Sequence, residues 1–287
     1  MALSTLFKSS INKLLQNVNL KIDTLTSSNI EKKRLKDLEY IQHFEQPVFP
    51  TVQAFYSDYY QLILEKLKLY EKSLNKLNSA DTNQVGYSYT NPYFSSPDAE
   101  VLYTIIRQFK PQKIIEVGCG NSTKISRQAI IDEQLGTQLV SIDPCPRTEI
   151  AKFSDQLLLK PVEALDNFEL FQTLQQGDIL FVDSSHQIKT GNDVVFLYTN
   201  IIPNLQPGVL IHIHDVFLPY DYPKQWVLEE EWGWNEQYLV QCMLQLSNAF
   251  DVLWAGHFLQ RTLPNFQQHF PNLDNRIAQS IWLQKNC

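Results

Sequence analysis

Positive charge, paired cysteines and long apolar runs are all scarce in this sequence of 287 residues. Lys and Arg number 24 against 31 Asp and Glu, a formal charge of −7. Such a chain lacks the clustered cations that displace counterions from a nucleic acid, so no nucleic-acid partner is expected. No apolar run approaches the roughly 18–20 residues that span a bilayer, so no membrane partner is expected either. The four cysteines, Cys119, Cys145, Cys242 and Cys287, include no C-x-x-C pair and no metal-ligand spacing. That usage fits a reduced, cytoplasmic protein. With 44% hydrophobic and 19% charged residues, the composition suits one large globular domain, alone or with a helical extension.

Glycine is also sparse, at nine residues, and its placement is informative. Gly136, Gly177 and Gly208 each precede an expected strand, and Gly118 and Gly120 close another. The sequon Asn121-Ser122-Thr123 lies in that glycine turn, where a glycan would block the site, which argues further against secretion. The first 22 residues lack acids and carry Lys8, Lys13 and Lys21. Leu3, Phe7, Ile11, Leu14, Val18, Ile22 and Leu25 repeat there at helical spacing, without Arg or a small-residue cleavage signal. An amphipathic helix is therefore favoured over a targeting segment. Its apolar stripe could fold back on its own domain or form a homo-oligomer interface.

The chain reads as two parts, a helical extension or cap over 1–80 and a second domain over 81–287. In the first, apolar residues recur every three or four positions over 31–44 and 55–77, with Pro47 and Pro50 breaking the pattern between. The segment 81–97 turns aromatic and polar, with Tyr87, Tyr89, Tyr93 and Phe94. Ser95-Ser96-Pro97-Asp98 has the chemistry of a helix start, a hydroxyl cap followed by Pro and an acid, leading a helix to about Phe109. Short apolar strands are then expected over 113–117, 138–142, 156–159, 178–182 and 209–213. Helical stretches over 122–134, 163–175 and 193–202 separate them. A helix over 236–248 and strands over 251–255 and 280–284 follow. Strands alternating with helices, each strand largely apolar, indicate an α/β fold with a parallel sheet covered on both faces.

Polar residues appear just where the apolar strands stop. They are Glu116 with Gly118 and Gly120, then Asp143, then Asp183, then His214 with Asp215. Ligands of open parallel sheets bind at those carboxyl ends. Glycines permit close approach of a ligand, and a carboxylate at position 143 can accept hydrogen bonds from ribose hydroxyls. The dinucleotide pattern G-x-G-x-x-G is only partly met, because Thr123 holds the third glycine position. A nucleoside without phosphates, its ammonium end met by Glu116, is the alternative ligand.

Ile115-Glu-Val-Gly-Cys-Gly-Asn-Ser-Thr123 resembles motif I of class I S-adenosylmethionine-dependent methyltransferases. Ser141-Ile-Asp-Pro144 resembles their acidic second motif, and Asp178-Ile-Leu-Phe-Val-Asp-Ser-Ser-His186 their fourth. Leu205-Gln-Pro-Gly-Val-Leu-Ile-His-Ile-His-Asp215 is similar to the fifth-strand region of the bacterial methyltransferase domain 24 group. The resemblance covers roughly 85–220 and implies a Rossmann-like seven-stranded sheet of order 3-2-1-4-5-7-6 with an antiparallel seventh strand. It implies S-adenosylmethionine passing over Gly118 and Gly120, its ammonium near Glu116 and its ribose on Asp143. Asn121, Ser122, Pro144, Glu163 and Asp183 would complete that site, with Ile142 beside the adenosine.

Asp183, His186, His212, His214 and Asp215 form a second constellation. Neighbouring carboxylates repel unless a proton or cation lies between them. Asp and His donors with open positions suit Mg, Mn or Fe(II), giving Asp183, His186, His214 and Asp215 as a candidate metal set. Catechol-type O-methyltransferases hold a divalent metal at similar strand ends, with Asp-Asn where this chain has His214-Asp215. Metal-free general-base catalysis is the alternative, with His214, Asp215 and His186 as catalytic residues; His212 reads as a buried, hydrogen-bonded residue. The expected activity is O-methylation of a small-molecule sugar or natural-product hydroxyl. Its rivals are oxidation or cyclisation at a metal site on the same fold, and a non-catalytic binding module. The aromatics over 217–223 and 226–234 suit a substrate wall or lid, or packing beneath loops.

Overall fold

A computed structural model describes residues 10–18, 25–165 and 168–286. Most of the amphipathic run from Leu3 to Leu25 lies outside the described residues, although residues 10–15 are helical. The chain forms two compact units, one of Met1–Gln46 with Pro223–Trp232 and one of Pro47–Tyr222 with Gly233–Cys287. In the first, the Leu25–Tyr40 helix meets the short Lys224–Leu228 helix. An ion pair of Lys224 with Glu39 at 2.5 Å joins them, and Lys32 pairs with Glu231, beyond the short helix, at 2.7 Å. Both pairs are half exposed and add little stability, about 0–1 kcal/mol each.

The second unit holds a seven-stranded sheet of order β3-β2-β1-β4-β5-β7-β6. Its strands are β1 Lys113–Val117, β2 Gln138–Ile142, β3 Gln156–Leu158, β4 Ile179–Val182, β5 Leu210–Ile213, β6 Phe250–Ala255 and β7 Ile281–Lys285. The first five pair in parallel, and β7 runs antiparallel to both β5 and β6. Successive strand residues face opposite sides of a sheet, and all four residues of β4 and of β5 are buried. Both faces are therefore covered, as the near-continuous apolar strands require. The strand order and the reversed seventh strand are those that the motifs implied.

Three local expectations are corrected. The helix starting near Ser96 has no hydroxyl cap, because Pro97 takes the cap position of the Asp98–Phe109 helix and offers no side-chain acceptor. The Ser95 hydroxyl instead donates to the Tyr89 carbonyl at 2.5 Å. The helix expected over 163–175 is reduced to a 3₁₀ turn at Val162–Ala164 and one turn at Glu169–Gln172. The helix over 193–202 does not stay α-helical. After Asp193–Phe196 it widens into a π-helical turn at Leu197–Ile201 and tightens again at Ile202–Asn204, where Pro203 removes a donor. Within this unit the Tyr59–Leu74 helix buries Ile63, Leu67 and Leu74 and packs on the Asp98–Phe109 helix.

Candidate active site

One backbone rule aligns the strand-end residues. Each donates its N–H to the last carbonyl of the neighbouring strand: Gly118 to Ile142 at 3.0 Å, Asp143 to Leu158 at 3.1 Å, Asp183 to Val117 at 2.8 Å and His214 to Val182 at 3.0 Å. The sheet ladder thus continues one residue beyond the apolar runs and sets these residues in a row along its carboxyl edge.

The glycine turn is built from below. Glu116 on β1 is fully buried, and its Oε1 accepts from the Ser122 hydroxyl at 2.6 Å. Its Oε2 accepts from Thr123 at 2.7 Å and Ser141 at 3.3 Å. Burial pushes the Glu116 carboxyl up to about 7, against the pull of these hydroxyls. Thr123 Oγ1 also accepts the Gly120 N–H at 3.0 Å, so the buried acid holds the turn through the first residues of the Asn121–Asp132 helix. Gly118 has φ +80°, and an ideal β-carbon on it would lie 1.9 Å from the Asp183 carbonyl oxygen. A β-carbon on Gly120 would meet nothing within 4 Å.

Asp143 braces the turn from the side. Its Oδ2 accepts the Cys119 N–H at 2.9 Å and its Oδ1 the Cys145 N–H at 2.7 Å. A carboxylate has about four lone-pair positions, so two remain for hydroxyl donors. Asn121 Nδ2 donates to Asn91 Oδ1 at 3.0 Å, which ties the segment 87–94 to the turn. Pro144 is exposed. Glu163 is half-buried in the turn after β3, with its Oε2 unpartnered. The open space over Gly120, the free acceptor positions on Asp143 and the absence of a cationic phosphate clamp in motif I suit a nucleoside without phosphates.

The second constellation is assembled around His186. Its Nε2 lies 3.2 Å from Asp183 Oδ1 and 3.2 Å from Asp215 Oδ2. Its Nδ1 lies 2.9 Å from Glu236 Oε2. His214 Nδ1 stands 3.4 Å from Asp215 and 3.7 Å from Asp183, and its Nε2 is 3.9 Å from Asp98. His186 and Asp215 have φ of 58° and 57°. Two neighbouring non-glycine residues in this sparsely populated region are held there by the surrounding contacts.

Burial opposes charge on both rings, but the carboxylates outweigh it. The charges of Asp215, Asp183 and Glu236 raise His186 to about 10, and those of Asp215 and Asp183 raise His214 well above its ordinary value. Burial also acts to raise Asp183, yet hydrogen bonds from the two imidazoles hold its carboxyl well below the usual range. Burial lifts Asp98 to about 6 against the opposing charge of His214. The surrounding carboxylates therefore favour a proton on each ring. Ligand atoms of Asp183, His186 and Asp215 all lie within 4.8 Å of one another, and this oxygen-rich donor set with one imidazole fits Mg, Mn or Fe(II).

His212 packs as the expected buried residue, stacked on Phe181 with ring centroids 3.9 Å apart and Nε2 2.8 Å from the Ser280 hydroxyl. Phe217, Leu218 and Tyr222 are core residues of the loop after β5. Tyr222 OH accepts the Gln237 N–H at 3.0 Å. Trp234 lies 4.4 Å from the His186 ring, and in the first unit Trp226 packs on Trp232 at 4.6 Å.

Sequence reasoning missed Glu236 and the inward role of Asp98. Glu236 sits 50 residues from the ring it touches and belongs to no motif. Asp98 looked like a helix-terminal acid, yet its carboxylate accepts the Gln279 N–H at 3.0 Å and the Ser280 N–H at 3.1 Å, just before β7. No local signal marked either role.

Residues 115–216 match the family described as "Methyltransferase domain". That match spans about a third of the chain, from β1 to just beyond β5, and the sheet order agrees with the fold that the motifs implied. None of the curated proteins matches it. Among solved structures it is similar to the S-adenosylhomocysteine-bound methyltransferase PaMTH1 of Podospora anserina, at 16% identity and a TM-score of 0.41, covering 93% of this chain and 100% of that one. It is also similar to an O-methyltransferase of Bacillus cereus in complex with S-adenosylhomocysteine, at 12% identity and a TM-score of 0.41, covering 88% and 100%. A structure titled cmcI-D160 Mg-SAM matches at 14% identity and a TM-score of 0.38, covering 71% and 81%.

Proposed function

We propose that this protein transfers the methyl group of S-adenosylmethionine to a hydroxyl oxygen of a small-molecule acceptor, of the sugar or natural-product class. A divalent cation would sit at Asp183, His186 and Asp215. The observation that carries the reading is the double position of Asp183. Its backbone carbonyl packs against Gly118 of the nucleoside turn, while its carboxylate faces His186 in the acid–histidine cluster. One residue thus joins the place where the sulfonium would lie to the place where an acceptor would be activated.

Gly118 and Gly120 would let the cofactor lie close to the turn, Asp143 would accept from its ribose hydroxyls, and Asn121 and Ser122 open the helix beneath it. Pro144 and Glu163 would stand on the adenine side. When bound, a divalent cation would lower the pKa of the acceptor hydroxyl and fix its oxygen. The carboxylates of Asp183 and Asp215 offer oxygen ligands, and His186 offers Nε2 once its proton has left. His214 is flanked by Asp98, Asp183 and Asp215, which favour its protonated form and suit it to donate a hydrogen bond. The remaining acceleration would come from placing the oxygen in line with the methyl group.

Incubating the protein with S-adenosylmethionine, Mg or Mn and a panel of hydroxylated acceptors tests the reading. Products heavier by one methylene, lost on chelation and restored by metal, are expected. Failure of well-folded protein to bind S-adenosylhomocysteine in calorimetry would overturn it.

A further inference from the structure

The carboxylate of Glu236 is costly where it stands. Glu236 is 1% exposed beside the buried Tyr198 hydroxyl, and burying a carboxylate is favourable only where the groups around it compensate for the lost water. Its Oε2 accepts from the Ser184 hydroxyl at 2.7 Å and lies 2.9 Å from His186 Nδ1. Glu236 grips the same histidine a second time through the backbone, where its N–H donates to the His186 carbonyl at 3.2 Å, beside that of Asn235 at 2.9 Å. The Ser184 hydroxyl in turn accepts the His186 N–H at 3.1 Å. Ring, carbonyl and amide of His186 are all tied to Glu236 or to its hydroxyl partner. These bonds account for a β-unbranched but bulky residue resting at φ 58°.

A histidine that binds a cation through one ring nitrogen usually donates the other N–H to a carboxylate, which fixes the tautomer and the ring plane. We propose that Glu236 is the positioning residue of this site, accepting Nδ1–H of His186 so that Nε2 is directed at a divalent cation shared with Asp183 and Asp215. The inference rests on the cation reading above. Glu236 touches none of the proposed ligand oxygens; it acts only through His186.

Wild type, Glu236→Gln and Glu236→Ala of the full chain test it, with Mn²⁺ alone as the probe. Mn²⁺ affinity is read by electron paramagnetic resonance, the His186 ring nitrogens by ¹⁵N correlation spectra of metal-free protein, and S-adenosylhomocysteine binding controls for folding. Glu236→Ala is expected to lose the slowly exchanging Nδ1–H signal and about ten- to a hundredfold in Mn²⁺ affinity, with S-adenosylhomocysteine binding retained. Glu236→Gln, whose amide oxygen can still accept, is expected to keep the signal with an intermediate affinity. Wild-type Mn²⁺ affinity together with an unchanged Nδ1–H signal in Glu236→Ala would overturn the inference. If Glu236→Ala does not fold, Glu236→Gln decides by its affinity, and a wild-type value overturns it. If wild type itself binds no Mn²⁺, the cation reading falls and the Nδ1–H signal alone decides the role of Glu236.

Discussion

The backbone carbonyl of Asp183 occupies the space where Gly118 would carry a side chain, 1.9 Å from the ideal β-carbon position. Two strands meet there with no room for an added methyl group, and the φ of +80° at Gly118 disfavours any L side chain besides. Gly118→Ala is expected to cost about 1–3 kcal/mol of stability and to displace Asp183. Gly120→Ala projects into open space instead, so its stability should stay within about 0.5 kcal/mol of wild type while S-adenosylhomocysteine affinity falls. Urea titration and calorimetry on both variants check the pair.

Asp143 stabilises the turn with two separate oxygens, one to Cys119 N and one to Cys145 N. In Asp143→Asn one acceptor becomes an amide donor facing an N–H. A loss of about 1–2 kcal/mol is expected, together with weakened S-adenosylhomocysteine binding. Denaturation midpoints and binding isotherms on one preparation separate the two effects.

Glu116→Gln asks whether the buried acid serves the turn. The amide can satisfy only some of the hydroxyls of Ser122, Thr123 and Ser141, so a destabilisation of about 1–3 kcal/mol is expected. Hydrogen exchange should quicken at the backbone amides of 118–123 in this variant, and unchanged exchange there would contradict the account.

Glu100 sets a pH dependence of stability. It is 3% exposed, and burial pushes its carboxyl up from 4.5 to about 8 against the pull of the Ser96 hydroxyl. Between these values the unfolded chain releases a proton that the folded chain keeps, so stability falls as pH rises. The slope from this group is at most about 1.4 kcal/mol per pH unit. Asp98, lifted to about 6, acts in the same direction over a lower range. Glu100→Gln should therefore be more stable than wild type near the upper value and converge with it toward the lower one. Urea unfolding across that interval measures the difference.

The sheet was readable in the sequence because its signals are local. Each parallel strand is a short apolar run, and each run ends on the residue whose N–H the next strand captures, as at Asp143 and Asp183. Features that depend on distant partners were not readable. Ser95 and Ser96 looked like caps, but Pro97 took the cap position and Ser95 turned to Tyr89. A continuous helix over 163–175 fitted the apolar spacing, yet only Phe171 is buried in the Glu169–Gln172 turn, too little to hold a longer one. Asp98 and Glu236 owe their positions to chain segments 181 and 50 residues away, a distance at which periodicity carries no information.

The placement of β7 has a consequence for synthesis. It is the last strand in chain order yet lies inside the sheet, between β5 and β6. Ser280, just ahead of it, supplies both the hydroxyl that holds His212 and an N–H that holds Asp98. A nascent chain emerging from the ribosome can form β1 to β5 and its nucleoside turn early. The sheet beyond β5 is finished only when β7 has emerged, because β6 joins it through β7.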